Sequence, residues 1–235
     1  MIYLEKFSIL RNKIHLNIPL VKICGNKYLD EAYKVAKFHP DFMGWIFAKQ
    51  SPRKVNTDEA KSIIKQIKRD FPEIFHVAVF ADNSLFEIIT ITKEINQNED
   101  LIDFLQVVEG ADFIDELSKQ LIEKQLMIPI IPVIRPTSVL TDQSFFSSPM
   151  TFLWIVDRYD PKLKGGTGKV IPKELFSEQV SKPFLIAGGI QHTNAKEMLK
   201  VSGAKGIDVS SGIEDAPGVK NEKKLELLFQ EIKNL

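Results

Sequence analysis

A chain of 235 residues with 44% hydrophobic and 26% charged residues can bury a full core as one domain without disulfides or metals, which excludes a disordered segment. Its 31 basic and 31 acidic residues cancel, so net charge points to neither a nucleic acid nor a membrane surface, and any anion must be held locally. A single cysteine rules out an internal disulfide and fits a reducing, cytoplasmic compartment.

The first 19 residues stand apart as a short N-terminal extension. Glu5, Lys6, Arg11 and Lys13 interrupt any signal-peptide core there, and no later stretch is apolar for the length of a membrane span. Alternation at Ile14, Leu16 and Ile18 predicts an extra strand or a cover rather than a floppy tail. From residue 20 onward, short runs rich in Val, Ile and Phe alternate with stretches of helical period, the sign of repeated β-α units. Predicted strands lie at 20–24, 42–47, 76–81, 103–108, 127–134, 151–157, 183–189 and 206–211. Predicted helices lie at 28–38, 57–70, 84–96, 111–125, 137–146, 172–180, 193–200 and 221–234. Thr57 and Ser84 read as the caps of two of them. Eight units in 20–235 predict a (β/α)8 (TIM) barrel of one domain rather than an open doubly wound sheet. Pro129 and Pro132 weaken the fifth strand, because proline cannot feed a ladder.

In such a barrel the active site lies where strands end, so the residues closing each strand are the candidates. They are Cys24, Arg53, Asp82, Gln106, Arg135, Asp157, Gly188 with Gly189, and Ser210 with Ser211. Cys24 reads either as a small buried hydrophobe or as a thiol activated by nearby positive charge, with the helix opened by "GNKYLDEA" as one local source. Asp157 ends an apolar strand, where partial desolvation suits a carboxyl to donate a proton. It reads equally as a cap or as a partner of Arg158 or Lys162. Arg53 is a solvated loop residue or a fork for a carboxylate. "KGGTGK" with Gly166, "AGGI" and "SSGIEDAPG" are turns or, for the two directly after strands seven and eight, a phosphate cradle that makes a small phosphorylated molecule the expected partner. "GGTGK" lacks the Walker spacing. His15, His39, His76 and His192 lack metal-ligand spacing, and Trp45 and Trp154 read as strand packing.

The segments "VKICG", "DFMGWIFAKQSPRKV", "HVAVFADN", "FLQV", "WIVD…KGGTGK", "FLIAGGI" and "GIDVSSGIEDAPGVK" together resemble the phosphoribosylanthranilate isomerase family from about residue 20 to the C-terminus. That resemblance implies a cofactor-free Amadori rearrangement in tryptophan biosynthesis, with Cys24 as general base and Asp157 as general acid. It also implies that Arg53 holds the anthranilate carboxylate, that Gln106 and Asp208 contact substrate, and that Gly166, Gly188, Gly189, Ser210 and Ser211 hold the phosphate. A monomer or homodimer is expected. The chain departs from the family pattern at Val108, where a histidine is common, with Glu109 following. This departure motivates a second expectation, a divergent paralogue that binds a phosphorylated metabolite without turnover. An isomerase of a related phosphoribosyl aminosugar has an aspartate where Cys24 stands, and an indole-glycerol-phosphate synthase would need Lys22 as its catalytic lysine.

Overall fold

A computed structural model describes residues 7–145, 150–157, 172–176 and 180–233. Eight parallel strands close into a barrel in chain order. They are β1 (Leu20–Ile23), β2 (Phe42–Ile46), β3 (Phe75–Phe80), β4 (Phe104–Val107), β5 (Ile130–Ile134), β6 (Trp154–Val156), β7 (Phe184–Ile186) and β8 (Gly206–Val209). Closure comes from β1 pairing with β8, Lys22 opposite Asp208 in register. The described helices are α1 (Ser8–His15), α2 (Leu29–Ala36), α3 (Thr57–Asp70), α4 (Leu85–Ile95), α5 (Ala111–Glu123), α6 (Ala195–Ser202) and α7 (Glu222–Lys233). The eightfold barrel predicted from the alternation is therefore the observed fold.

Two helices follow their local signals closely. Ser84 caps α4 through a reciprocal box with Glu87, while α3 is capped by Asn56 rather than by Thr57, its side chain accepting from the Glu59 N–H. Along α3, Ala60, Ile63, Ile64 and Ile67 form the buried stripe that packs on the sheet.

The described parts of two predicted helices, residues 137–145 and 172–176, depart from them. Asp142–Ser144 and Lys173–Leu175 are single 3-10 turns, and Leu140, just before the first, bridges Phe176, just after the second, with the Leu140 N–H donating to the Leu175 carbonyl. The segment "PTSVLT" is rich in β-branched and hydroxyl residues that favour extended backbone over a helix. Pro132 leaves its mark on the neighbouring ladder. Ile130 bridges Thr151 while Val133 pairs with Ile155, so the register moves by one residue where the proline N–H is missing.

Of the extra strand or cover expected before residue 20, the chain forms a cover, the helix Ser8–His15. Phe7, Leu10 and Ile14 follow helical spacing, and Phe7 is 2% exposed against Phe75, Phe104 and Phe152, with ring centroids 5.6, 4.7 and 5.6 Å away. This helix closes the barrel end opposite the strand C-termini. Leu16 and Ile18, part of the predicted alternation, are exposed.

Outward-facing residues of the strands pack under the helices, and Trp45 and Trp154 are both buried there. Trp45 Nε1 donates to His76 Nδ1 at 3.0 Å, so the His76 ring is neutral with its proton on Nε2. Burial is the main cause that pushes His76 down to about 3 from its ordinary 6.5. Between those values the unfolded chain binds a proton that the folded chain refuses, so stability falls as pH drops below 6.5. Between about pH 7 and about pH 5, urea unfolding should show the wild type losing about 2 kcal/mol more than His76→Asn. Equal losses would mean that His76 charges in the folded barrel.

Candidate active site

Alternate residues of each strand face the barrel interior, and on β1 these are Leu20, Lys22 and, one step past the strand, Cys24. Leu20 and Cys24 belong to the interior cluster with Phe42, Val77, Ile131, Ile155 and Leu185. The polar exceptions gather toward the C-terminal rim and lie close to one another.

Lys22 is fully buried, and its Nζ donates to Asp208 Oδ1 at 2.8 Å. Burial would strip the Lys22 proton, but Asp208 and Cys24 outweigh it and hold the ammonium above its usual range. Burial holds the Cys24 thiol above its usual range; Asp208 adds to the rise, and Lys22 and Lys220 oppose it without reversing it. Gly44 on β2 makes this meeting possible. A Cβ there would stand 2.8 Å from Cys24 Sγ and 3.1 Å from Lys22 Nζ, so any side chain would separate or displace them. The predicted helix start beside the thiol is not its source of positive charge. α2 begins only at Leu29, and the charge comes instead from two buried lysines.

The strand-eight motif folds back as a hairpin, β9 (Glu214–Ala216) with β10 (Val219–Lys220). It supplies residues that sequence reasoning quoted but gave no role. Glu214, its side chain 3% exposed, receives Arg53 Nε at 3.1 and 2.9 Å and Arg53 Nη2 at 2.6 Å. Lys220 donates to Glu214 Oε1 at 2.7 Å and to the Cys24 carbonyl at 2.6 Å. Burial works against the Glu214 charge, yet Arg53 and Lys220 prevail and hold the carboxyl below its usual range. Arg53 is thus not a solvated loop residue but a fork fixed along one edge. Nη1 bonds to no described residue.

Across the rim, Asp157 follows β6, which β7 and β8 separate from β1. Its N–H donates to the Ile134 carbonyl at 2.9 Å, and Arg135 Nη2 approaches its Oδ2 at 3.4 Å. Arg158 and Lys162, the partners weighed from sequence, lie outside the described residues, as does Gly166. Gln106 on β4 is 7% exposed, and its Oε1 is buried without a partner among the described residues. Val108 stands half-buried at the rim against the interior cluster.

The loops after β7 and β8 meet. Gly212 lies so close to the Ile190 carbonyl that a Cβ would sit 1.9 Å from its oxygen. Gly188 and Gly189 have φ of +79° and +68°, and their N–H groups bond to no described residue. Ser211 opens a 3-10 turn, Ser211–Ile213, and the preceding Ser210 has a buried Oγ with no partner among the described residues. Paired glycine amides with a spare hydroxyl make a concavity suited to an anion. Among the described residues, no three His, Cys, Asp or Glu side chains are grouped as metal ligands, and no helix is long and apolar enough to cross a membrane.

A family model described as "N-(5'phosphoribosyl)anthranilate (PRA) isomerase" matches residues 21–231. The N-(5'-phosphoribosyl)anthranilate isomerase of Gloeothece citriformis is 32% identical over 219 residues, 90% of this chain and 93% of that protein. That of Leptospira interrogans is 32% identical, covering 91% and 94%. Among solved structures, phosphoribosyl anthranilate isomerase from Thermus thermophilus superposes with a TM-score of 0.74 at 24% identity, covering 92% of this chain and 98% of that one.

Proposed function

The chain belongs to the N-(5'-phosphoribosyl)anthranilate isomerase family, and from that premise we propose that Cys24 and Asp157 are the base and acid of an Amadori rearrangement. The reaction converts N-(5'-phosphoribosyl)anthranilate into 1-(2-carboxyphenylamino)-1-deoxyribulose 5-phosphate in tryptophan biosynthesis. Asp157 protonates the ribose ring oxygen as the ring opens to a Schiff base. That cation acidifies the C2' proton, Cys24 removes it, and the enolamine tautomerises to the ketone. Arg53 holds the anthranilate carboxylate through the edge not given to Glu214, and Gln106 and Asp208 contact the sugar and amine. The phosphate sits against Gly188, Gly189, Ser210 and Ser211, with Gly166 assigned to the same cradle by the family pattern. The reading needs no cofactor, and takes the protein to be a cytoplasmic monomer or homodimer.

The observation that carries this reading is the family match across both rim groups, with Cys24 beside a buried ammonium and Asp157 on the far side of the mouth. Val108 favours the alternative of binding without turnover, because it removes a polar group common in the family. Loss of phosphoribosylanthranilate fluorescence on adding the purified protein tests the choice. Turnover is expected, and binding of substrate without consumption would install the alternative.

A further inference from the structure

We propose that Lys22 is a positioning residue that favours the reactive thiolate of the buried Cys24, acting through the thiol and not on the substrate. The inference rests on the reading of Cys24 as the base, and the two can fail separately.

An ammonium in the dry interior of a barrel is costly unless it is paired and hydrogen-bonded. Lys22 has one partner of the required kind, Asp208, directly opposite on the neighbouring strand at 2.8 Å. A pair kept only for stability would need nothing more. An ammonium carries three N–H donors, however, and Lys22 shares the interior face of β1 with Cys24 two residues along, both heads bordering Gly44. Gly44 leaves room for both heads, since its missing Cβ would lie within 3.1 Å of Nζ and 2.8 Å of Sγ.

The charged groups facing Cys24 come from every side of this corner. Lys22 rises from β1 and Asp208 from β8, while Lys220 of β10 holds the Cys24 carbonyl at 2.6 Å. Arg53, from the loop after β2, stands over Gly25 and is itself neutralised by Glu214. Among these, Lys22 opposes the burial of the thiol most strongly, and Asp208 works against it more weakly. Removing the ammonium alone therefore leaves a buried thiol beside a carboxylate, the worst setting for a thiolate.

Cys24 is the only cysteine, so alkylation by iodoacetamide reports on this thiol alone. At about pH 8 the rate should fall at least about tenfold in Lys22→Met, matching a rise of one or more units in the thiol pKa. The double variant Lys22→Met/Asp208→Asn removes both charges and leaves no buried carboxylate unpaired. It should react at a rate between those of Lys22→Met and the wild type, and it serves if the single variant does not fold. In the pH profile of kcat/KM, the limb set by the base should move alkaline in Lys22→Met by the same amount. Alkylation of either folded variant as fast as the wild type would overturn the proposal. Should Cys24→Ser keep its turnover, the base assignment falls, while the order of alkylation rates still decides the role of Lys22.

Discussion

Cys24→Ser should fold as the wild type does and lose turnover by at least about 10²-fold, the typical contribution of a positioned base. The hydroxyl fits the same space beside Gly44, so packing is kept. What is lost is the ionisation, because a serine hydroxyl stays neutral under conditions where Lys22 still stabilises a thiolate. Asp157→Asn should fall by a comparable factor for the opposite reason, as the amide cannot give a proton to the ribose oxygen. Measured by steady-state fluorescence, both variants should lose kcat with little change in KM, since neither removes the Arg53 fork or the glycine loops. Near-wild-type kcat in either variant would remove that residue from the reaction.

Glu214→Ala should damage stability and binding together. The carboxylate compensates the buried Lys220 and the half-buried Arg53, and breaking a buried pair from one side typically costs about 3–5 kcal/mol. For a domain of this size that corresponds to a fall in Tm on the order of 10 °C. The hairpin that carries Lys220 would also lose its tie to the Cys24 carbonyl, so the thiol and the arginine should move relative to one another. KM for the carboxylate-bearing substrate should therefore rise more than kcat falls. Thermal unfolding with an unchanged Tm would show that solvent, and not Glu214, balances the two cations.

The barrel was legible because its signals are local. Each strand is a short β-branched or aromatic run, each helix a stripe of period 3.6, and eight repeats leave few topologies. The remaining outcomes have local causes too. Ile14, Leu16 and Ile18 read as an extra strand or a cover, and it is Phe7, Leu10 and Ile14 at helical spacing that make the cover under the barrel. Residues 137–145 had the length for a helix but not the propensity, and they make a bridge from Leu140 to Phe176 and a single 3-10 turn instead.

The site divides in the same way. The sequence alone determined the repeat, and through it the placing of Cys24, Asp157, Gly188 and Ser210 at strand ends, because strand number and strand end are properties of neighbouring residues. It also held Lys22, weighed only as a synthase lysine, as a lone charge inside a buried strand that has to find a counter-charge. Only the tertiary structure decided which one, since Asp208 is 186 positions away and meets Lys22 only when β8 closes on β1. Glu214 and Lys220 look like solvated loop charges in the sequence. They become the anchors of Arg53 and Cys24 because the hairpin folds inward over the rim, and electrostatic partnership is set by distance in space, which the order of residues does not contain.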